Sequence, residues 1–186
     1  ATGKPYLPAA NASAAHHERG LGLYQLDGVL VDIDLFRRLR VRGTVRGPEG
    51  LDDLTKALEL VSGIPFHGQR GRGWAWIADG DRVDHHMICA IVDVAHTITM
   101  AALPSDTATA RAATEKALLA APYEDTPQLD LAAIIRAEGN QAAAQRHLID
   151  NVCNRTEGGE APEDLTVRTE AIVRDPRWTV NAGEVA

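Results

Sequence analysis

The stretch "RAEGNQAAAQRHL", residues 136–148, places a Gly-Asn pair inside a run that otherwise favours helix. Gly139 can adopt the left-handed conformation that ends one helix, and Asn140 can cap the next. The alanines beside the pair have small side chains, which let two helix backbones approach closely. The stretch therefore predicts two helices joined by a tight turn.

Similar helix start and stop signals recur in the second half of the chain. Helices are expected to begin near Asp106, Pro127, Gln141 and Pro162, with Thr126 as the cap before Pro127. Alternate starts are 35 residues apart (141 − 106 and 162 − 127). That spacing is close to the roughly 34-residue period of tetratricopeptide helix pairs. The pattern predicts a short helical solenoid, and a helical bundle without a repeat is the alternative.

The first half of the chain contains further helical patterns. Apolar residues at helical spacing predict helices from Asp32 to about Arg46, from Gly47-Pro48 to Val61, and from Asp81 to Leu103. The last of these is apolar on two sides, which predicts that it lies between neighbouring helices.

The residues before Val31 have a different pattern. "KPYLP" and "LGLYQL" are strand-like runs on either side of a small, polar segment, "AANASAAHHERG", that we expect to be a flexible loop. We therefore expect a β-hairpin over residues 1–30, a helical domain over 31–178 and a C-terminal tail over 179–186.

Composition supports a mainly helical, intracellular protein. Of the 186 residues 45% are apolar and only 4% aromatic, a balance that suits closely packed helices. The net charge of −7 gives the chain no general attraction to nucleic acid or anionic membranes. The two cysteines are far apart in the sequence, which predicts a reducing location. No apolar run reaches the roughly 18 residues of a membrane span, so none is predicted. We expect a cytoplasmic piece of a longer protein, whose other parts could carry a membrane anchor.

One row of possible metal ligands follows the longest predicted helix. His85, Cys89, Asp93 and His96 are spaced i, i+4, i+8 and i+11. A zinc site draws its ligands from two or more elements, because one straight helix presents a row rather than a tetrahedron. We expect Asp93 and His96 to bond to adjacent elements and Cys89 to pack as a small apolar group. A metal-dependent enzyme built around the row is the alternative.

The first long helix is rich in arginine. Arg38, Arg42 and Arg46 are spaced i, i+4 and i+8, and they predict a basic row on the exposed side. The row is either a solvated face suited to a helix C-terminus or a contact site for an acidic partner or a phosphate backbone. The carboxylates that follow, Asp52 and Asp53, are expected on an ordinary helix surface.

The glycine-rich segment over residues 66–80 superficially suggests phosphate binding. It has no preceding strand and no Lys-Ser/Thr pair, both of which a phosphate-binding loop uses. We expect a turn that packs Trp74 and Trp76 against the helices. No cofactor is predicted, and no serine or cysteine stands beside a candidate base in a recognisable catalytic motif.

The stretch "YQLDGVLVDIDLFRRLRVRG…LDDLTKALELVSGIPF" resembles the bacterial transcriptional activator domain, a helical module that follows a winged helix in many actinobacterial regulators. The second segment matches this family's pattern at Leu54, Ala57, Leu58, Leu60, Gly63, Pro65 and Phe66. "WAW" and "ICAIVDVAHTI" resemble the version fused to peptidoglycan-binding LysM proteins. The resemblance covers roughly residues 20–173.

The resemblance implies a tetratricopeptide-like module preceded by the wing of a winged helix. Such a module is not an enzyme, and it implies a protein or peptide partner in the solenoid groove or a second copy of the chain. DNA contact is expected only through an upstream winged-helix domain, and this part of the protein is expected not to touch a membrane. A structural tether of a cell-wall-binding LysM protein is the remaining alternative.

Overall fold

Helices dominate the residues that the structure describes. The computed structural model describes residues 9–20, 29–69, 82–153, 167 and 171–172. These ranges are mainly helical and contain no strand, so the prediction of a mainly α fold is confirmed. The helices with named bounds are α1 (Ala14–Arg19), α2 (Asp32–Arg46), α3 (Leu51–Glu59), α4 (Val83–Ala102), α5 (Thr107–Ala120), α6 (Asp125–Ala137) and α7 (Gln141–Leu148). Among the described residues no helix is both long and apolar enough to cross a membrane.

The chain divides into two units, Ala1–Leu35 and Phe36–Ala186. In the first unit the expected flexible loop is instead a 3-10 turn over Ala10–Ala12 followed by α1. The Ser13 hydroxyl oxygen accepts a hydrogen bond from the His16 amide at 3.1 Å, which caps α1. Gly20 ends the helix with a φ of 69°. The two predicted strands lie outside the described residues.

The turn at Gly139-Asn140 confirms the prediction for the stretch 136–148. Gly139 has a φ of 87°, which is the left-handed conformation, and α6 ends directly before it. The Asn140 side chain accepts a hydrogen bond from the Ala143 amide at 3.0 Å and thereby caps α7.

The longest helix, α4, lies between neighbours as predicted. It contacts α3, α5 and α6, and its buried side chains include Val92 and Ala95 on the second apolar side. Towards α5, the hydroxyls of Thr99 and Thr114 hydrogen-bond to each other at 2.9 Å in the core. The buried face of α5 is otherwise built of alanines, which keeps the two helices close: Ala110, Ala113, Ala117 and Ala120.

Two predicted helix starts were wrong. Residues Gly47–Gly50 form a 3-10 turn, so α3 begins only at Leu51. α6 begins at Asp125, two residues before Pro127, and Thr126 is buried in its first turn rather than being its cap. Proline is tolerated there because first-turn amides have no partner within the helix.

Helices α3 to α7 pack in chain order. Each contacts the next, and α4 also contacts α6 while α3 also contacts α5. The starts of α5 and α7 are 34 residues apart (141 − 107), whereas those of α4 and α6 are 42 apart (125 − 83). The helix start expected at Pro162 lies outside the described residues.

Candidate interaction surface on α2

The outward side of α2 carries two parallel rows of side chains. The helix buries Phe36, Leu39 and Gly43 on its core side. Its outward side presents residues at four-residue spacing, and six of them line one shallow depression: Arg37, Val41 and Val45 in one row, and Arg38, Arg42 and Arg46 in the next. We call these six residues the α2 surface. It places the two valines directly beside a basic row.

The two valines of the α2 surface are strongly exposed. Val41 is 64% and Val45 82% accessible to solvent. They sit four residues apart on one helix face, so their side chains are neighbours and form one apolar strip. A strip of this kind gains free energy only when another molecule covers it.

Asp53 of α3 holds two arginines of the basic row. Arg42 donates from Nε to Oδ2 at 2.7 Å and from Nη2 to Oδ1 at 2.5 Å, so the pair is bidentate. Arg46 donates from Nη1 to Oδ2 at 3.2 Å. Asp53 is only 3% exposed, so the expectation that it lies on an ordinary helix surface was wrong.

The close approach of α2 and the turn before α3 puts Asp53 beneath the arginines. Gly43 on α2 and Gly50 at the end of the turn touch through their backbones, because neither has a Cβ. With the backbones in contact, the first turn of α3 faces the last turns of α2. A carboxylate on that turn is then within reach of Arg42 and Arg46.

The arginines remain available to solvent although Asp53 binds them. The side chains of Arg42 and Arg46 are 60% and 50% exposed, and Arg38 is exposed as well. Four arginines and one carboxylate give the α2 surface together with Asp53 a formal charge of +3 (4 − 1). This local positive charge stands out in a chain whose net charge is −7.

The same pair perturbs the acid–base behaviour of its members. The hydrogen bond from Arg42 is the main cause that lowers the pKa of Asp53 from its usual 3.8; the charge of Arg42 and the bond and charge of Arg46 act in the same direction. Burial opposes this change, since it favours the neutral acid. The hydrogen bond to Asp53 in turn raises the pKa of Arg42.

We expect the ion pair between Asp53 and Arg42 to make the free energy of unfolding fall in acid. Because the carboxyl has a lower pKa folded than unfolded, its contribution is complete above about pH 4 and is lost as pH falls through the folded value. Asp53→Asn lacks the contribution at every pH, so it should be less stable than wild type at neutral pH, and the difference should shrink below about pH 4. Urea midpoints measured from about pH 7 to about pH 3 test this.

Asp52→Asn is the matched control for that experiment. Asp52 is exposed and pairs with Lys56 one helical turn away, at 2.6 Å. Its loss should change the urea midpoint little at any pH, because exposed pairs of this kind contribute little stability. A stability difference between Asp53→Asn and wild type that stays constant down to about pH 3 would contradict the role of the pair.

The row of possible metal ligands on α4 is divided among separate partners. His96 Nδ1 lies 2.8 Å from Oδ1 of Asp130, which is buried on α6. Asp93 pairs with Arg40 of α2 at 3.5 Å, and the Cys89 thiol lies 3.6 Å from His85 Nε2 within α4. Within the described ranges no three side chains of ligand type come together around a possible ion position. Asp93 and His96 thus bridge α4 to two neighbouring helices.

The other candidate residues from the sequence differ in how the structure places them. Trp74 and Trp76, with the glycine-rich segment around them, lie outside the described residues. The arginine row is on the exposed side of α2, as its spacing predicted. Asp53 and the valine strip were not recognised from the sequence, although both belong to the same surface.

No family model matches the chain, and no curated protein or solved structure matches it. The resemblance to the bacterial transcriptional activator domain therefore stays a prediction from the residues that carry it.

Proposed function

We propose that this chain is a non-catalytic interaction module of a transcription-regulator-like protein, and that it acts by binding a protein partner. One observation carries the proposal: the α2 surface places an exposed apolar strip beside arginines that a buried carboxylate holds in position. Arginine is enriched in protein interfaces because its planar guanidinium binds carboxylates bidentately and is weakly hydrated. Fixing its geometry beforehand reduces the entropy that binding would otherwise cost.

The order of helix contacts supports a tetratricopeptide-like stack as the scaffold. In such a stack each helix packs against the next, and the first helices of successive pairs also touch. We assign α2/α3, α4/α5 and α6/α7 as the pairs, with α2, α4 and α6 lining one side. The Arg40–Asp93 and His96–Asp130 contacts link these three helices in that order.

This assignment makes α2 the end of the described stack. The outer face of a terminal unit is normally polar, because no further unit covers it. On α2 that face carries the exposed valines Val41 and Val45 beside its four arginines. An end that is apolar and basic suits a partner better than it suits water.

The regulatory context of the proposal comes from the resemblance to the transcriptional activator domain. A winged helix upstream would read DNA, while this chain would bind the partner that controls it in the cytoplasm. Self-association through the α2 surface is disfavoured, because each copy would bring four arginines into the interface. The groove along α4 and α6 is the other site at which a peptide could bind.

An unbiased peptide library tests the proposed function. The folded chain would be used to select from random displayed peptides, and each selected sequence would be synthesised and its affinity measured in solution. We expect a set of related peptides with dissociation constants of about 1–100 µM, as for transient interaction modules.

Selected peptides are then compared on two charge-reversal variants. Arg38→Glu changes the α2 surface, and Arg146→Glu makes the same charge change at an exposed position on α7. We expect the first to weaken binding and the second to leave it unchanged. A library that yields no peptide with measurable solution affinity would contradict the proposed function.

A further inference from the structure

The α2 surface has the shape and charge of a docking site for a helix. On the premise of the proposed function, we infer that it binds an acidic amphipathic helix whose carboxylates lie at i, i+4 and i+8 beside an apolar row. Arg46 follows Arg38 by eight positions, which is about 12 Å along the helix axis at about 1.5 Å per residue. A partner helix with the same four-residue spacing presents carboxylates over the same length.

The apolar strip defines the second feature of the partner. Rows at four-residue spacing form ridges, and the groove between the two rows of the α2 surface accepts a ridge of a second helix. Val41 and Val45 form one wall of that groove and the arginines form the other. The partner must therefore present apolar side chains to the valines and a row of carboxylates to the arginines.

Asp53 is a positioning residue for this site. It occupies Nε and Nη2 of Arg42, which leaves the two N–H groups of Nη1 outside the pair. It holds Arg46 through Nη1 only. Both side chains are thus fixed near the helix surface, and an incoming carboxylate meets donors that no longer need to be ordered.

Other partners fit the surface less well. A nucleic acid backbone would pair with the arginines but would gain nothing from covering Val41 and Val45. A lipid surface favours basic helices that also carry tryptophan, phenylalanine or leucine, and the apolar strip here consists of two valines. A second copy of the same surface repels through its arginines. An acidic helix satisfies both rows at once.

The probe is a synthetic peptide of about 18 residues, long enough for several helical turns, with three glutamates at four-residue spacing beside a row of leucines. Its control is a peptide of identical composition in which the glutamates and leucines are permuted off these rows. Fluorescence anisotropy would measure both at about 50 mM and about 150 mM salt. We expect the patterned peptide to bind about tenfold more tightly than the permuted one, and more weakly at the higher salt.

Variants of exposed residues assign the binding to the α2 surface. Arg38→Glu should weaken the affinity for the patterned peptide about tenfold or more, and Val41→Ser should weaken it about fivefold. The affinity of Arg146→Glu should stay within about twofold of wild type, because this substitution changes the total charge without touching the site. Melting temperatures should match wild type in all three, since each side chain is exposed.

Binding measurements with DNA and with lipid vesicles, together with the peptide library, distinguish a failure of this inference from a failure of the proposed function. Tighter binding to a DNA duplex or to phosphatidylserine vesicles than to the patterned peptide would overturn the inference in favour of phosphate recognition. Equal affinities for the patterned and permuted peptides would also overturn it. Library peptides that bind without carboxylates but are weakened by Arg38→Glu would leave the proposed function standing and remove this inference. Library peptides unaffected by Arg38→Glu would remove this inference and the α2 surface as the binding site. A library without binders would remove the proposed function itself.

Discussion

Gly50→Ala is expected to lower the free energy of unfolding by about 3 kcal/mol or more, at the upper end of overpacking effects. A Cβ at this position would collide with the carbonyl oxygen of Gly43 and lie 2.6 Å from its carbonyl carbon. These are backbone atoms, so no side-chain rotation can relieve the collision. The φ of Gly50 is −91°, which alanine adopts without strain, so the whole effect is steric.

Gly63→Ala is the control for this prediction. Apart from Gly63 itself and its two chain neighbours, no residue has a heavy atom within 4 Å of the Cβ that alanine would add there, so we expect a change within about 0.5 kcal/mol. Urea unfolding followed by circular dichroism measures both variants. Equal stability of the two would mean that α2 and the turn before α3 do not touch as described.

Gly50→Ala also bears on the α2 surface. Separating α2 from the turn would move Asp53 away from Arg42 and Arg46, which depend on the first turn of α3 for their position. The fraction of this variant that remains folded should therefore bind the acidic peptide more weakly than wild type. Gly63→Ala should bind it as wild type does.

Ala117→Leu is expected to destabilise the chain by about 3 kcal/mol, because added carbons in a well-packed core force helices apart. Ala117 is completely buried on α5, three residues after Thr114, whose hydroxyl bonds to Thr99 of α4 at 2.9 Å. A leucine there would push α5 away from its neighbours and break that bond. The same urea experiment measures the loss.

Ala112→Leu serves as the matched control for the core substitution. Ala112 lies on the same helix and is exposed, and alanine and leucine have similar helix propensities. We expect a change within about 0.5 kcal/mol. A small effect of Ala117→Leu would show that α5 has room against its neighbours, contrary to the close packing described above.

Local chemistry explains which elements could be predicted from the sequence. The turn at Gly139-Asn140 was predicted correctly, because one residue supplies a left-handed conformation and the next caps a helix without help from distant residues. The start of α6 was misplaced, since proline is tolerated at several first-turn positions and does not mark one of them. The helix over 14–19 was missed because six residues give too weak a periodic signal.

The burial of Asp53 follows a spacing that is visible in the sequence. Asp53, Ala57 and Val61 follow one another at four-residue spacing, and the last two are apolar. The aspartate therefore shared a buried row with them. Its partner Arg42 is eleven residues earlier, across the glycine turn, so the pair depends on how α2 and α3 pack.

The exposure of the arginine row could be predicted from helical spacing, but its ion pairs with Asp53 and the exposed valines beside it could not. Spacing alone places Arg38, Arg42 and Arg46 on one face. Which of them a carboxylate holds, and that Val41 and Val45 lie exposed beside them, depends on the contact between α2 and α3. The candidate site thus required tertiary structure, whereas the helices that carry it did not.

The central claim is that α2 presents the partner-binding surface of this chain. It is tested most directly by following backbone amide resonances of the isotopically labelled protein during titration with the patterned acidic peptide. We predict that the shift changes concentrate on residues 37–46 and around Asp53. Changes concentrated on α4 around His96 and on α6 around Asp130, with α2 unaffected, would contradict the claim and place the site in the groove.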